Sequence, residues 1–310
     1  MPKRILKRQQ STTPENLKPY EFHGLDVSHW NGKSKDVTTD CPFCGREEKF
    51  NIVVSSGVSR CVVCNVGSKK GGMNASSFVK NLWYLLRDST DRSEASEFAL
   101  TRKVSFETAW EWGLVWSHLT GHWMLPAYNA EGTLTQLYSY RPTDKGMTLF
   151  PTPTLGAQLF GVGCYNKKAD TTYLVEGPWD GIALWDSLCK AGQAKSGKLL
   201  EVSDQSLSLA SSSGVLAVPG AGTFNPAWSA LFGENVVVMY DNDHERTHES
   251  GQTIPPAGIN GVKRVVYSLT GAKDQPKKIS YLRWGERGWD ESLPHGCDVR
   301  DILTGTVTTG

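Results

Sequence analysis

A chain of 310 residues is long enough for one large domain or for two to three smaller ones. Its 39% hydrophobic content, with ten Phe, ten Tyr and eleven Trp, excludes a disordered protein. No apolar run approaches the roughly 20 residues that span a bilayer, and no apolar signal core follows the basic start. We therefore expect a cytoplasmic protein with no membrane partner.

Charge is distributed unevenly along the chain. The formal net charge is +1, but residues 1–87 carry 14 Lys and Arg against 7 Asp and Glu, and the remaining residues carry 19 against 25. The basic region would favour a polyanion, although charge alone also fits an ordinary solvated surface.

In chain order, residues 1–20 are polar and basic and predict a flexible arm. The cysteine-rich region 21–87 follows, then a polar stretch, 88–98, that we interpret as a linker, and then regions 99–169 and 170–310. From 171 onward, strands alternate with helices, which predicts an α/β sheet. The predicted elements are strand 49–54, helix 76–87 with Ser76 as N-cap, helix 104–113, a hairpin over 123–140, strands 171–176, 214–218, 235–240 and 262–269, helix 179–191, and a surface insertion over 195–213.

Four cysteines, Cys41, Cys44, Cys61 and Cys64, form the pattern C-x2-C-x16-C-x2-C. This spacing is typical of a structural zinc site, because each pair places two sulfurs on one ion and four sulfurs complete its tetrahedron. We therefore predict one structural zinc. Basic residues accompany the cysteines and predict contacts with single-stranded nucleic acid; they are Arg46, Lys49, Arg60, Lys69 and Lys70.

Acidic residues follow two of the predicted strands. Glu176 ends one strand, with Asp180 in the first turn of the next helix, and Asp241 and Asp243 end another. The carboxyl ends of strands are where open α/β sheets bind ligands. Carboxylate oxygens suit Mg²⁺ or Mn²⁺, so these acids predict a metal site, although Asp180 alone also fits helix capping.

The pattern Glu176-Gly-x-x-Asp180 followed by Asp241-x-Asp243 resembles the Toprim signature of DnaG-type primases, topoisomerases and some recombination proteins. With the zinc ribbon in front, the order is most similar to the primase half of phage primase-helicases. The segments Trp123–Gly132 and Leu137–Arg141 are similar to the primase subdomain that precedes Toprim.

The resemblance implies a fold class and a domain order. The expected fold is an α/β Toprim catalytic core over 170–310, a preceding α+β primase subdomain over 99–169, and a small N-terminal β zinc ribbon within 21–87. It also implies roles for residues: Glu176, Asp241 and Asp243 as magnesium ligands, Asp180 as a further catalytic acid, and Arg141, Lys145 and Asp298 as contacts to nucleotide or template.

Some positions depart from the family pattern. Cys297 stands where relatives usually have Lys, His244 follows Asp243 where they have small residues, and Pro178 and Trp179 are unusual in the first acidic turn. The segment 192–199 nearly matches a phosphate-binding loop, but Leu199 lacks the hydroxyl that such a loop needs for Mg²⁺.

The sequence therefore predicts a DNA primase, a nucleotidyltransferase that makes short RNA primers on single-stranded DNA from nucleoside triphosphates. Its expected partner is a separate replicative helicase, and its location is the host cytoplasm if the gene belongs to a phage. The alternative is a non-catalytic recombination mediator that holds DNA with a zinc ribbon and a Toprim fold. A topoisomerase fits less well, because its nucleophilic tyrosine needs a large additional domain.

Overall fold

The computed structural model describes residues 13–67, 71–144, 146–165, 169–196, 213–273 and 275–306. Lys69, Lys70, Lys145 and most of the insertion predicted over 195–213 lie outside these ranges. Among the described residues, no helix combines the length and apolar character that crossing a membrane requires. The helices are α1 Lys18–Phe22, α2 Ala75–Ser89, α3 Arg92–Thr101, α4 Phe106–Glu111, α5 Pro178–Ser196, α6 Ala257–Thr270 and α7 Val299–Leu303.

The strands form three larger sheets and one short ribbon. Strands β1 to β3 and β4 to β7 make two antiparallel sheets, and β13-β10-β8-β9 make a parallel one. The strands are β1 Asp36–Thr39, β2 Phe50–Val53, β3 Ser59–Cys61, β4 Val115–Ser117, β5 His122–Tyr128, β6 Leu134–Thr143, β7 Gly146–Pro151, β8 Thr171–Glu176, β9 Ser213–Val218, β10 Asn235–Met239, β11 Arg246–Thr247, β12 Thr253–Ile254 and β13 Lys278–Tyr281.

The part of the predicted arm that the structure describes is packed. Leu17 and Tyr20 are completely buried, and the Tyr20 hydroxyl donates a hydrogen bond to the Gly57 carbonyl at 2.6 Å. The prediction of a flexible arm is therefore wrong for residues 13–20, because two apolar side chains among the polar ones anchor this segment to the β1-β2-β3 sheet.

Helix α2 joins the cysteine-rich region to the β4–β7 sheet. Asn74, not the predicted Ser76, caps it by accepting a hydrogen bond from the Ser77 N–H. Its buried face, which includes Phe78 and Leu82, shares one hydrophobic core with Phe50 of β2 and with residues of β4, β5 and β6. The zinc ribbon and the sheet therefore bury apolar surface together.

The predicted linker over 88–98 is instead largely helical. Helix α2 ends at Ser89 and α3 begins at Arg92, where the Asp91 carboxylate accepts hydrogen bonds from the backbone N–H groups of Ser93 and Glu94. The stretch is polar because α3 fully buries only the small residues Ala95 and Ala99, while Phe98 is partly buried and most of its other side chains are exposed. Only Thr90 and Asp91 therefore link α2 to α3.

The predicted hairpin is confirmed as β5 and β6, which pair antiparallel with Trp123 opposite Tyr140. Residues of α2 cover one face of this sheet. The other face, with Trp123 and Tyr140, packs against α3 and against Trp179 of α5. The sheet is thus buried on both sides and connects the zinc ribbon to the parallel sheet.

The parallel sheet is also covered on both faces. Consecutive residues of a strand point to opposite sides, so Leu174 packs with α6 while Val175 packs with α5. This explains the continuously apolar sequences of β8, β9 and β10. The expected fold class is confirmed: an α/β parallel sheet, a preceding α+β unit and a small N-terminal β ribbon.

The strand predicted over 262–269 is wrong, because these residues lie in helix α6. Val262, Val265 and Leu269 are buried at helical spacing, whereas Lys263 and Arg264 between them are exposed. A short apolar run fits the period of a helix or that of a strand. In a strand, however, Arg264 would lie on the same buried side as Val262. The fourth strand of the sheet is β13.

Gly258 lets α6 approach the end of β10. A Cβ atom at this position would lie 2.3 Å from the Asp241 carbonyl oxygen. We expect Gly258→Ala to lower the free energy of unfolding by about 1–3 kcal/mol, because the helix must move away from the strand. Urea unfolding measures this change.

The matched control is Gly271→Ala at the other end of α6, where an added Cβ would make only an ordinary contact, 3.5 Å from the Tyr267 carbonyl oxygen. It should change stability by less than about 0.5 kcal/mol. Equal effects of the two substitutions would contradict the close approach.

Candidate metal centre and active-site cavity

The four predicted zinc ligands meet at one point. The sulfur atoms of Cys41, Cys44, Cys61 and Cys64 all lie within 4.8 Å of one another. Two of the sulfur pairs, Cys41 with Cys64 and Cys44 with Cys61, are 3.8 Å apart. With a zinc–sulfur bond of about 2.3 Å, a tetrahedral site has sulfurs about 3.8 Å apart, so this cluster fits one structural zinc.

The zinc knuckles expose basic and apolar side chains together. Arg46, Lys49 and Arg60 are exposed. Val62 and Val63, between the second pair of cysteines, are also exposed, at 53% and 41%. Neither valine is a predicted site residue, because a Val-Val dipeptide is typical of a buried core. Contact of this surface with DNA stays a prediction.

The carboxyl ends of two neighbouring strands bring the predicted acids together. Strand β8 pairs with β10 so that Val175 lies beside Met239, which places Glu176 and the residues after β10 at the same edge. A cavity of about 330 Å³ opens there. Its polar walls include Glu176, Asp180, Asp241, Asp298, Arg102 and Arg300.

A backbone N–H group orients the Glu176 carboxylate. Its Oε1 atom accepts a hydrogen bond from the Ala221 N–H at 2.9 Å, while Oε2 is buried with no protein partner. Burial, with a smaller contribution from the charge of Asp243, raises the pKa of Glu176 to about 7. An unsatisfied buried oxygen at this position suits a bound cation.

Asp241 and Asp180 are even less solvated. Burial, followed by the charge of Glu176, raises the pKa of Asp241 to about 10. Burial and the neighbouring Asp298 raise the pKa of Asp180 well above its ordinary value, and its Oδ1 atom has no hydrogen-bond partner. These acids therefore repel one another, and a divalent cation would relieve that repulsion.

Asp298 reaches the cavity through a contact between distant segments. The Asn242 N–H donates to the Cys297 carbonyl at 2.8 Å, and the buried Asn242 side chain holds the loop at Asp290. Asp298 then caps α7 with a capping box. Asn242 is not among the predicted site residues, although an amide between two acids was a usable signal in the sequence.

Asp243 does not line this cavity, although its charge acts on the pKa of Glu176. Its Oδ2 atom accepts a hydrogen bond from the Gly258 N–H at 2.9 Å, and Oδ1 lies 3.7 Å from His295 Nε2.

Among the described residues, the four cysteines are the single group of three or more candidate ligands within 4.8 Å. Magnesium usually keeps several waters, so Glu176 and Asp241 fit such an ion, and the role of Asp243 stays a prediction.

Arg102, at the end of α3, was not predicted as a site residue. Its guanidinium carbon lies 5.4 Å from the centre of the Tyr140 ring and 5.3 Å from that of Trp179. Nothing in the local sequence around Arg102 distinguishes it from a surface arginine. It reaches the cavity because α3 packs against the face of the sheet that carries Tyr140.

Arg141, predicted to contact nucleotide or template, is engaged elsewhere. Its side chain donates to the Phe22 carbonyl at 3.0 Å and to Ser139 Oγ at 2.9 Å, and it stacks on the Phe22 ring. It does not line the cavity. Arg141 therefore connects α1 to the sheet, and a role in binding nucleotide is not what this geometry favours.

Comparison with known proteins gives similarities of structure. No protein family model matches the chain, and no curated protein matches it either. Among solved structures, the chain is similar to the zinc-binding and RNA polymerase domains of the Aquifex aeolicus primase, with 14% identity, coverage of 94% of this chain and 81% of that one, and a TM-score of 0.42.

Two further solved structures are also primases. The primase fragment of the bacteriophage T7 primase-helicase is 17% identical, covering 79% of this chain and 88% of that chain with a TM-score of 0.38. A primase domain from Pseudomonas aeruginosa is 15% identical, covering 73% of this chain and 74% of that chain with a TM-score of 0.44.

The zinc site gives a testable prediction. Cys61→Ser should reduce the zinc content, because a neutral hydroxyl replaces one of four thiolates. Mass spectrometry of metals after dialysis measures the zinc per chain. Cys189→Ser, outside the cluster, is the control and should keep about one zinc per chain; tight zinc retention by Cys61→Ser would show that Cys61 is not a ligand.

The raised pKa of Glu176 gives a second prediction. Its ordinary value of 4.5 rises to about 7 on folding, so the folded state binds more protons than the unfolded one between these values, and stability is lost as the pH rises through them. Without added Mg²⁺, Glu176→Gln should therefore gain up to about 3 kcal/mol over the wild type between pH 4.5 and 7.5.

Urea unfolding at several pH values measures this gain. Addition of Mg²⁺ should stabilise the wild type more than the Gln variant, because the cation compensates the carboxylate. A stability difference that does not change with pH would contradict the burial of a charged Glu176.

Proposed function

We propose that the protein is a DNA primase, which extends a short RNA on a single-stranded DNA template by transferring nucleotides from nucleoside triphosphates. The observation that carries this proposal is the cavity at the ends of β8 and β10, which Glu176, Asp180 and Asp241 line together with Arg102. Buried carboxylates that need a cation, beside a guanidinium that needs an anion, suit a metal-bound triphosphate.

The residues that line the cavity would have different roles in nucleotide transfer. Glu176 and Asp241 would hold Mg²⁺ or Mn²⁺, which supplies charge stabilisation to the triphosphate as pyrophosphate leaves. Arg102 would bind phosphate oxygens of the nucleotide. Asp180, Asp298 and Arg300 would set the charge of the cavity around the triphosphate. This preorganised charge is where we expect most of the rate enhancement.

The zinc ribbon would bind the template. Its exposed Arg46, Lys49 and Arg60 neutralise phosphates, and apolar Val62 and Val63 offer contact area to unstacked bases. The ribbon shares its core with the β4–β7 sheet, whose edge strand β7 supplies Thr148 and Leu149 to the cavity. A template held by the ribbon would thus be coupled to the site through one packed body. A separate helicase partner and a location in the host cytoplasm remain part of the proposal.

The test is primer synthesis by the full chain with single-stranded DNA, labelled ribonucleotides and Mg²⁺. Asp241→Asn should lower the rate at least about a hundredfold, because the isosteric amide cannot hold the cation. It should fold normally, since the amide has nearly the same size and shape as the carboxyl group, and it should bind single-stranded DNA like the wild type.

The matched control is Asp170→Asn, at the opposite end of β8, where the side chain is exposed. This variant should synthesise primers at the wild-type rate. If the wild type binds DNA but makes no primers under any divalent cation, the proposal fails and the non-catalytic recombination mediator becomes the better reading.

A further inference from the structure

The acidic turn after β8 contains an unusual tryptophan. In the sequence Glu176-Gly-Pro-Trp179-Asp180, the indole of Trp179 is only 5% exposed and lines the cavity. It packs against the rings of Phe98 and Tyr140, each at a centroid distance of 5.7 Å. The residue between the two acids is therefore part of the cavity wall as well as of the core.

Trp179 and Tyr140 form an aromatic bracket, defined here by these two rings, around the guanidinium of Arg102. The guanidinium carbon is 5.3 Å and 5.4 Å from the two ring centres, within the range of cation–π attraction. The Arg102 Nε atom is buried and has no hydrogen-bond partner. The rings, and not a polar acceptor, hold this side chain.

The second arginine of the cavity is held in a different way. Arg300 Nη2 lies 3.0 Å from the Asp298 carboxylate. Among the described residues, Arg102 has no carboxylate oxygen within 4.0 Å, although the charges of Asp180 and Asp298 act on its pKa. Without an aromatic bracket, these buried acids would draw Arg102 into an ion pair as well.

We propose that Trp179 is a positioning residue that keeps Arg102 away from the cavity's carboxylates. Because ring faces and not carboxylates hold the guanidinium, its N–H groups remain available to bind the phosphate oxygens of an incoming nucleoside triphosphate. This inference rests on the proposed function of the cavity. An ion pair with Asp180 or Asp298 would occupy those N–H donors and leave fewer of them to bind the nucleotide.

A double-mutant cycle on nucleotide affinity tests the inference. The probe is labelled ATP in equilibrium dialysis with Ca²⁺, which replaces Mg²⁺ to prevent turnover. Trp179→Leu should weaken binding roughly tenfold. Trp179→Phe should restore most of the affinity because it retains a ring face. In the Arg102→Ala background, Trp179→Leu should have little further effect, because Trp179 acts through Arg102.

In primer synthesis, the same Leu substitution should raise KM for the nucleotide more than it lowers kcat. The matched control is Trp185→Leu, two turns further along α5, whose indole bonds to Glu111 and lies outside the cavity. This variant loses an indole from the same helix and should keep the wild-type nucleotide affinity.

A second measurement reports the position of Arg102 without any nucleotide. Its buried Nε–H should give a slowly exchanging NMR signal, shifted by the ring currents of the bracket and assigned by its loss in Arg102→Lys. We expect this signal in Trp179→Phe and Trp185→Leu, but not at that position in Trp179→Leu.

The outcomes separate the two claims. If Trp179→Leu weakens ATP binding as much in the Arg102→Ala background as in the wild type, or if its Arg102 signal is unmoved, Trp179 does not position Arg102. If the wild type binds no ATP while the signal is present and depends on Trp179, the proposed function fails, and the phosphate role of Arg102 is overturned with it.

Discussion

The candidate active site depends on the burial of several carboxylates at one edge of a parallel sheet. Pairing of β8 with β10 aligns the ends of these strands, so formation of the sheet places Glu176 and Asp241 close to each other. Their raised pKa values express the energy of keeping like charges in a poorly solvated place. Such an arrangement is unfavourable for folding alone, and it becomes understandable as a site for cations.

The surrounding elements keep this edge open and correctly shaped. Gly258 lets α6 approach the Asp241 carbonyl, and Asn242 ties the loop that carries Asp298 to the end of β10. Hydrogen bonds of the Asn242 backbone and side chain thus join segments that lie far apart in sequence. The charges of the cavity therefore remain for ligands, with the Arg300–Asp298 pair as an internal exception.

The zinc ribbon is integrated with the rest of the chain more closely than a tethered module. Phe50 and Phe78 belong to the same core as residues of the β4–β7 sheet. Removal of the first 90 residues would expose that face of the sheet, so such a truncation would change folding as well as the template binding that we propose for the ribbon. Point substitutions in the ribbon separate the two effects.

The local sequence determined those features that depend on spacing and strand order. The four cysteines, the hairpin of β5 and β6, and the strands that end at Glu176 and near Asp241 were all predictable, because ligand geometry and period-two burial leave a direct pattern in the chain. The zinc cluster could be predicted completely, since both knuckles are local and one gap joins them.

Only the tertiary structure decided which side chains face the cavity. Arg102 became part of the wall because α3 packs beside Tyr140, while Arg141 was drawn to Phe22 and Asp243 to the start of α6. Residues 262–269 form a helix because this conformation packs Val262, Val265 and Leu269 against the sheet and leaves the neighbouring charged residues exposed. Each of these outcomes depends on contacts between segments distant in sequence, and local periodicity carries no information about such contacts.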